Sequence, residues 1–198
     1  MNTLSEAKVL GGIGSILVLL SAVPSIGWLL GIAGFVMVLL AVKDISQTFS
    51  DSKVYSNMLT AVVLAVGAIA VGAVTVIGTA YHLFESGSFV GSRFILSNPI
   101  TGANLFGLVA VVIGGLLAVE ALLVFSAVFV RRSFKTISSK LGIHTFETAS
   151  LLFLIGAATA IIGIGFILIV ISEILFAVSF FSIQDQPQSQ ISSPPIVS

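Results

Sequence analysis

The chain has 198 residues, 57% of them hydrophobic and 8% charged, with 8 Lys and Arg against 8 Asp and Glu and a mean hydropathy of +1.21. Soluble domains carry about 25% charge, so this composition excludes a water-covered surface and reads as a polytopic membrane protein; zero net charge leaves no basic footprint for nucleic acid. The absence of cysteine removes disulfides, thiolate nucleophiles and cysteine-held metal clusters.

A bilayer core about 30 Å thick needs roughly 20 apolar residues of helix. The first two candidate spans cover 9–23 and 26–42, with "SAVPSIGW" between them. Pro24 cannot donate a helix hydrogen bond, so a tight hairpin is expected there. A cleaved signal peptide is the competing reading of the first span, but a second membrane-length segment follows at once. The third span covers 58–84 and the fourth 105–130, after the Gly/Ser-rich "ESGSFVGSRFILSNPITG".

The apolar region 145–183 poses a length problem. As one helix it would be nearly 60 Å long, about twice the hydrocarbon thickness. A fold-back is expected at "IIGIGF", where Gly163 and Gly165 flank Ile164, giving spans 146–162 and 165–181. A single bent or strongly tilted helix is the alternative. The expected architecture is therefore an all-α transmembrane bundle of six spans: a short hairpin, two long central helices and a second short hairpin. Residues 1–183 form one domain, and 184–198 form a polar tail rich in Pro, Ser and Gln.

With six spans, one side holds Lys8, Lys43, Lys53, Arg131, Arg132, Lys135 and Lys140, and the other holds only Arg93. That asymmetry places both termini in the cytoplasm of a cell-membrane protein. Trp28 and Tyr81 fall near the expected outer interface and Tyr55 near the inner one, as an aromatic belt would.

Helix association in lipid relies on close approach across small residues. Ala61, Ala65, Ala68, Gly72, Thr75 and Thr79 in span three, and Ala103, Gly107, Ala110, Gly114 and Ala121 in span four, are expected to meet as a central seam. Gly27 and Gly31 form a short GxxxG. Beyond Val130 the spacing of Phe134, Ile137 and Leu141 carries the fourth helix on into the cytoplasmic interface, with Gly142 as its cap. Its opposite face offers Arg131, Arg132, Lys135 and Lys140 as candidate contacts for anionic lipid, unless they only set topology.

Two acids lie in the apolar spans. Glu173 is near the middle of the sixth span and Glu120 just past the middle of the fourth, so the two are expected at similar depth. A bare charge there costs roughly 2.5–3.5 kcal/mol, and no Lys or Arg lies within the spans to pair with it. Each must be protonated, hydrogen-bonded or cation-bound. Facing one another they would form a proton or cation site; apart, they are structural carboxyls. Glu147 at the start of span five suits the helix dipole. No GxSxG, HExxH or P-loop is present, and both "GIG" triplets lack a dinucleotide fingerprint, so no catalytic residue, metal or cofactor is expected and the chain reads as a non-enzyme.

"IGWLLGIAGFVMVLLAVKDIS" and "IGFILIVISEILFAVSFFSI" align, suggesting that the first and last hairpins are parallel copies. The segments "LGGIGSILVLLSAVPSIGWLLGIAGFVMVLLAVKDIS", "GIHTFETASLLFLIGA" and "AVSFFSI" resemble a family of small uncharacterised archaeal multi-pass membrane proteins, a domain of unknown function. The resemblance implies an archaeal membrane and transfers no functional residues. Two functions are consistent with this reading. One is a structural or accessory membrane component, as a homo-oligomer or a subunit of a membrane complex; the other is a small proton- or cation-linked transporter using Glu120 and Glu173.

Overall fold

Apolar runs separated by Pro, Gly and charged turns give six α-helices: α1 (Leu4–Leu19), α2 (Gly27–Thr48), α3 (Ser52–Glu85), α4 (Gly102–Leu141), α5 (Thr145–Ala158) and α6 (Ile164–Phe181). The computed structural model of the chain describes residues 4–85, 87–90, 93–96 and 102–184; the expected polar tail, from 185 onward, lies outside them. Four helices are long and apolar enough to cross a membrane: Gly27–Thr48, Ser52–Phe84, Leu105–Leu141 and Ile164–Phe181. The first and fifth are shorter than that, at 16 and 14 residues. The all-helical architecture is as expected, with one local addition in the link between α3 and α4. That link carries an antiparallel pair, β1 (Gly87–Val90) and β2 (Arg93–Leu96), with Phe89 opposite Phe94.

The last apolar region doubles back where the glycines stand. α5 ends in a 3-10 turn at Ala160–Ile162, and Gly163 adopts a left-handed φ of 83° before α6 starts. The first hairpin is built alike: a 3-10 turn at Leu20–Ala22, then Ser25 at φ 75°, then α2. Both left-handed residues stand two positions before a glycine, Gly27 or Gly165, in the first turn of the second helix. A side chain on Gly27 would collide with the Ser21 carbonyl, and one on Gly165 with the Gly156 carbonyl. Glycine lets each hairpin close at backbone contact.

Packing joins the hairpins into a ring. The first helix of each packs on the second helix of the hairpin before it: α3 on α2, α5 on α4, and α1 on α6. Three hairpins therefore repeat one relation, and the buried positions repeat with it. In α2 the buried series includes Gly34, Val38, Ala41, Val42 and Ile45; in α4 it includes Ser126, Val130, Ser133, Phe134 and Ile137; in α6 and two residues past its end it includes Ser172, Phe176, Ser179, Phe180 and Ile183. Among the first helices, Gly11, Met58 and Phe146 correspond, as do Gly14, Ala61 and Ala149. All are buried. The parallel copies expected for the first and last hairpins thus extend to the middle one.

The core lies at the end of the ring where the charged residues gather. Phe134 is its centre, with ring centroids 4.4 Å from Phe176, 5.5 Å from Phe146 and 6.0 Å from Phe180. At the opposite end the middle hairpin outgrows its neighbours. With 34 residues against 22, α3 reaches about 18 Å beyond α2, although both rise from the turn at 49–51. This overturns the shared aromatic belt. Counted from that turn, Tyr81 stands about 14 Å farther out than Trp28, so the two cannot mark one interface.

Candidate functional site

The contact between the Phe134 and Phe176 rings, 4.4 Å between centroids and tilted by 38°, sets the relative height of the two acids of the apolar helices. Both helices run in the same direction, since each is antiparallel to α5. Glu173 precedes Phe176 by three residues and Glu120 precedes Phe134 by fourteen, so at 1.5 Å per residue they lie about 16 Å apart along the bundle. Helix α5 also stands between their helices. The structure does not bring Glu120 and Glu173 together. The midpoint of α4 is not the midpoint of the bundle, because α4 continues far past the flanking hairpins, and equal position within a span does not mean equal depth.

Glu120 sits at the rim of the ring. Phe134 stacks on Phe146, and fourteen residues outward from these lie Glu120 on α4 and Ala160 on the 3-10 turn, which touches α4. The Glu120 side chain is half-buried, with Oε1 enclosed and without a hydrogen-bond partner among the described residues; Thr79 Oγ1 is in the same condition. Glu173 is half-buried beside the fully buried Ser172.

The central pair meets as expected on the α3 side and differently on the α4 side. Ala61 and Ala68 are buried, and Thr75 lies against Gly115. On α4, however, Gly107, Ala110, Gly114 and Ala121 are exposed, and the helix presents Gly115, Val119, Ser126 and Ser133 to α3. The seam is turned by about one residue, or 100°. Hydroxyls decide this. Ser126 Oγ donates to the Ala61 carbonyl at 2.8 Å and Ser133 Oγ to the Val54 carbonyl at 2.9 Å, both buried. In hydrocarbon a hydroxyl without a partner is costly, whereas small residues facing lipid are not.

The four basic candidates divide by environment. Lys140 is taken: Nζ lies 3.1 Å from Asp51 Oδ2 and 5.7 Å from the centre of the Phe49 ring. Arg132 stacks over Phe129, Lys135 is exposed, and Arg131 is half-buried with Nε enclosed. Sequence reasoning missed Asp51. It also receives the Lys53 N–H at the start of α3, so one carboxylate caps a helix and ties the α2–α3 turn to the end of α4. The signal was present in "SDSK", an acid just ahead of a helix. Asp44, 5% exposed near the end of α2, is a second acid at the charged end of the bundle that sequence reasoning missed.

The family described as protein of unknown function (DUF996) matches residues 30–174. The uncharacterized protein MJ1644 of Methanocaldococcus jannaschii is 35% identical over 189 residues, covering 94% of this chain and 97% of that protein. The chain belongs to the DUF996 family. No solved structure matches it. The DUF996 match begins inside α2 and ends inside α6, and so includes Glu120, Glu173 and all four basic candidates. The similarity to MJ1644 is long enough to take in α1 as well.

Proposed function

We propose that this DUF996 chain is a structural or accessory component of the cell membrane, not an enzyme, and that it associates with a second copy or a partner subunit through the outer half of α4. One observation carries the reading: Gly107, Ala110 and Gly114 form a small-residue stripe that α3 leaves uncovered, with none of the described residues within 4 Å of where a side chain on either glycine would start. Such a stripe lets another helix backbone approach closely, the main source of helix affinity in lipid.

Embedding in a bilayer is supported by the bare flanks of the middle hairpin. Ile69, Val74 and Phe106 are more than 70% exposed, and burial of each such side chain is worth about 1.5–3 kcal/mol. Six apolar helices occupy the bilayer in this reading. The Lys and Arg residues at the inner ends of α1 to α4 face the cytoplasm together with both termini. Arg131, Arg132 and Lys135 contact anionic headgroups there, while Lys140 remains with Asp51.

Because the chain has no cysteine, single cysteines can be read without background. Gly107→Cys, Ala110→Cys and Gly114→Cys are expected to give disulfide-linked dimers on oxidation in native membranes if the stripe meets a second copy, and cross-links to a partner through a photoreactive group at the same positions if it meets another subunit; failure of both in folded protein removes the reading. A proton- or cation-linked role is the second reading, favoured only by the enclosed Glu120 oxygen. Unchanged flux in vesicles carrying Glu120→Gln and Glu173→Gln ends it.

A further inference from the structure

We infer that α3 and α4 alone cross the bilayer completely, and that the two flanking hairpins are re-entrant, turning inside the far leaflet with lipid acyl chains over their tips. The inference rests on the membrane reading above and adds a depth to it. The first support is height. Although α2 and α6 are long and apolar enough by residue count to cross, the charge at Lys43 limits α2 to about 24 Å of apolar helix and α6 rises about 27 Å, both short of a hydrocarbon core about 30 Å thick, whereas 59–84 of α3 offers about 39 Å.

The second support is the chemistry of the turns. Those at the charged end are polar: 49–51 is held by Asp51 and Lys140, and 142–144 contains His144. The far turns carry no charge, and Val23, Ile26, Ile161, Ile162 and Ile164 stand exposed at their tips. The second tip is isoleucine on three sides, and the first sets Val23 and Ile26 beside the exposed Ser21 and Ser25 with no charge among them. The third support is the backbone. Non-helical chain survives at membrane depth only if its polar groups are satisfied internally. Here the N–H groups of Val23, Ile26 and Gly27 donate to the carbonyls of Leu20, Pro24 and Val23, and those of Ile162, Gly163 and Gly165 to Thr159, Ala160 and Thr159. The Thr159 hydroxyl is bonded back to Ile155.

The opposite placement, tips at the interface, would leave the outer turns of α3 and α4 in water with Val74, Val76, Ile77 and Phe106 uncovered. The molecule supplies its own probe. Trp28 is its one tryptophan, lies in the first turn of α2 and is 64% exposed. The full chain would be reconstituted in phosphatidylcholine vesicles containing lipids brominated either near the headgroup or at mid-chain, beside a control with Trp28→Phe and Tyr81→Trp. The expected result is a greater loss of Trp28 emission with the mid-chain label and of the position-81 emission with the shallow one. Shallow quenching of Trp28 with little or none at position 81 overturns the inference and leaves membrane embedding intact. No quenching of either by any label overturns both.

Discussion

At the scale of single residues, Asp51 carries two tasks on one carboxylate. It accepts from Lys140 across a 3.1 Å ion pair and caps α3 through the Lys53 N–H. The Lys140 hydrogen bond, with smaller help from Lys53, holds its pKa below the ordinary 3.8. A carboxyl whose folded pKa is depressed adds stability that is full above its unfolded value and is lost as pH falls through the folded one, so the contribution starts to fade below about pH 4. Asp51→Asn should therefore lower the melting midpoint at pH 7 and matter progressively less as the pH is taken below about 4, as read by circular dichroism in detergent. Ser25 and Gly163 make a second residue-scale test, because they share a left-handed backbone and only one of them is glycine. Gly163→Ala should cost about 1 kcal/mol, and Ser25→Gly should recover up to about 1 kcal/mol. Equal effects of the same sign would show that the two turns are not equivalent.

Among elements, the α3–α4 pair shows what the sequence conveys and what it withholds. Helix positions and both far turns were legible, because run length, Pro24 and the Gly163–Gly165 spacing act locally. The face that α4 turns toward α3 was not. Small residues lie on two of its faces, and the choice is made by Ser126 and Ser133 finding the Ala61 and Val54 carbonyls, partners 65 and 79 residues away in sequence. The candidate acids were legible as buried acids for the same local reason. Their relative height depends on how far α4 overshoots α5, which no local pattern records. Ser126→Ala and Ser133→Ala should each weaken the bundle by about 0.6 kcal/mol, the average for a hydroxyl bond between membrane helices. Steric trapping in bicelles can measure this. A null effect of both would leave the seam without its proposed determinant.

For the whole molecule, the ring of three hairpins is the organising fact, and its middle member was hidden from sequence by length. The outer hairpins match as strings of similar residues, while α3 and α4 add about 18 Å or more at one end and keep the repeat only at their charged end. There Ile45, Ile137 and Ile183 occupy one position three times, each fully buried. If the ring closes as its contacts imply, the three sites share one environment and should respond alike. Each Ile→Ala should cost about 2–5 kcal/mol by the loss of buried methyls and the cavity left behind. Ile77→Ala and Ile113→Ala on the projecting part of the middle hairpin, both exposed, should cost little in a bilayer, where lipid takes the place of the missing atoms. Unfolding measured in one lipid for all five variants separates two architectures. A closed ring yields three large, similar losses and two small ones. A central pair with loosely attached flanking hairpins would make Ile137→Ala severe and leave Ile45→Ala and Ile183→Ala mild, because each outer hairpin would then unfold without drawing the others with it.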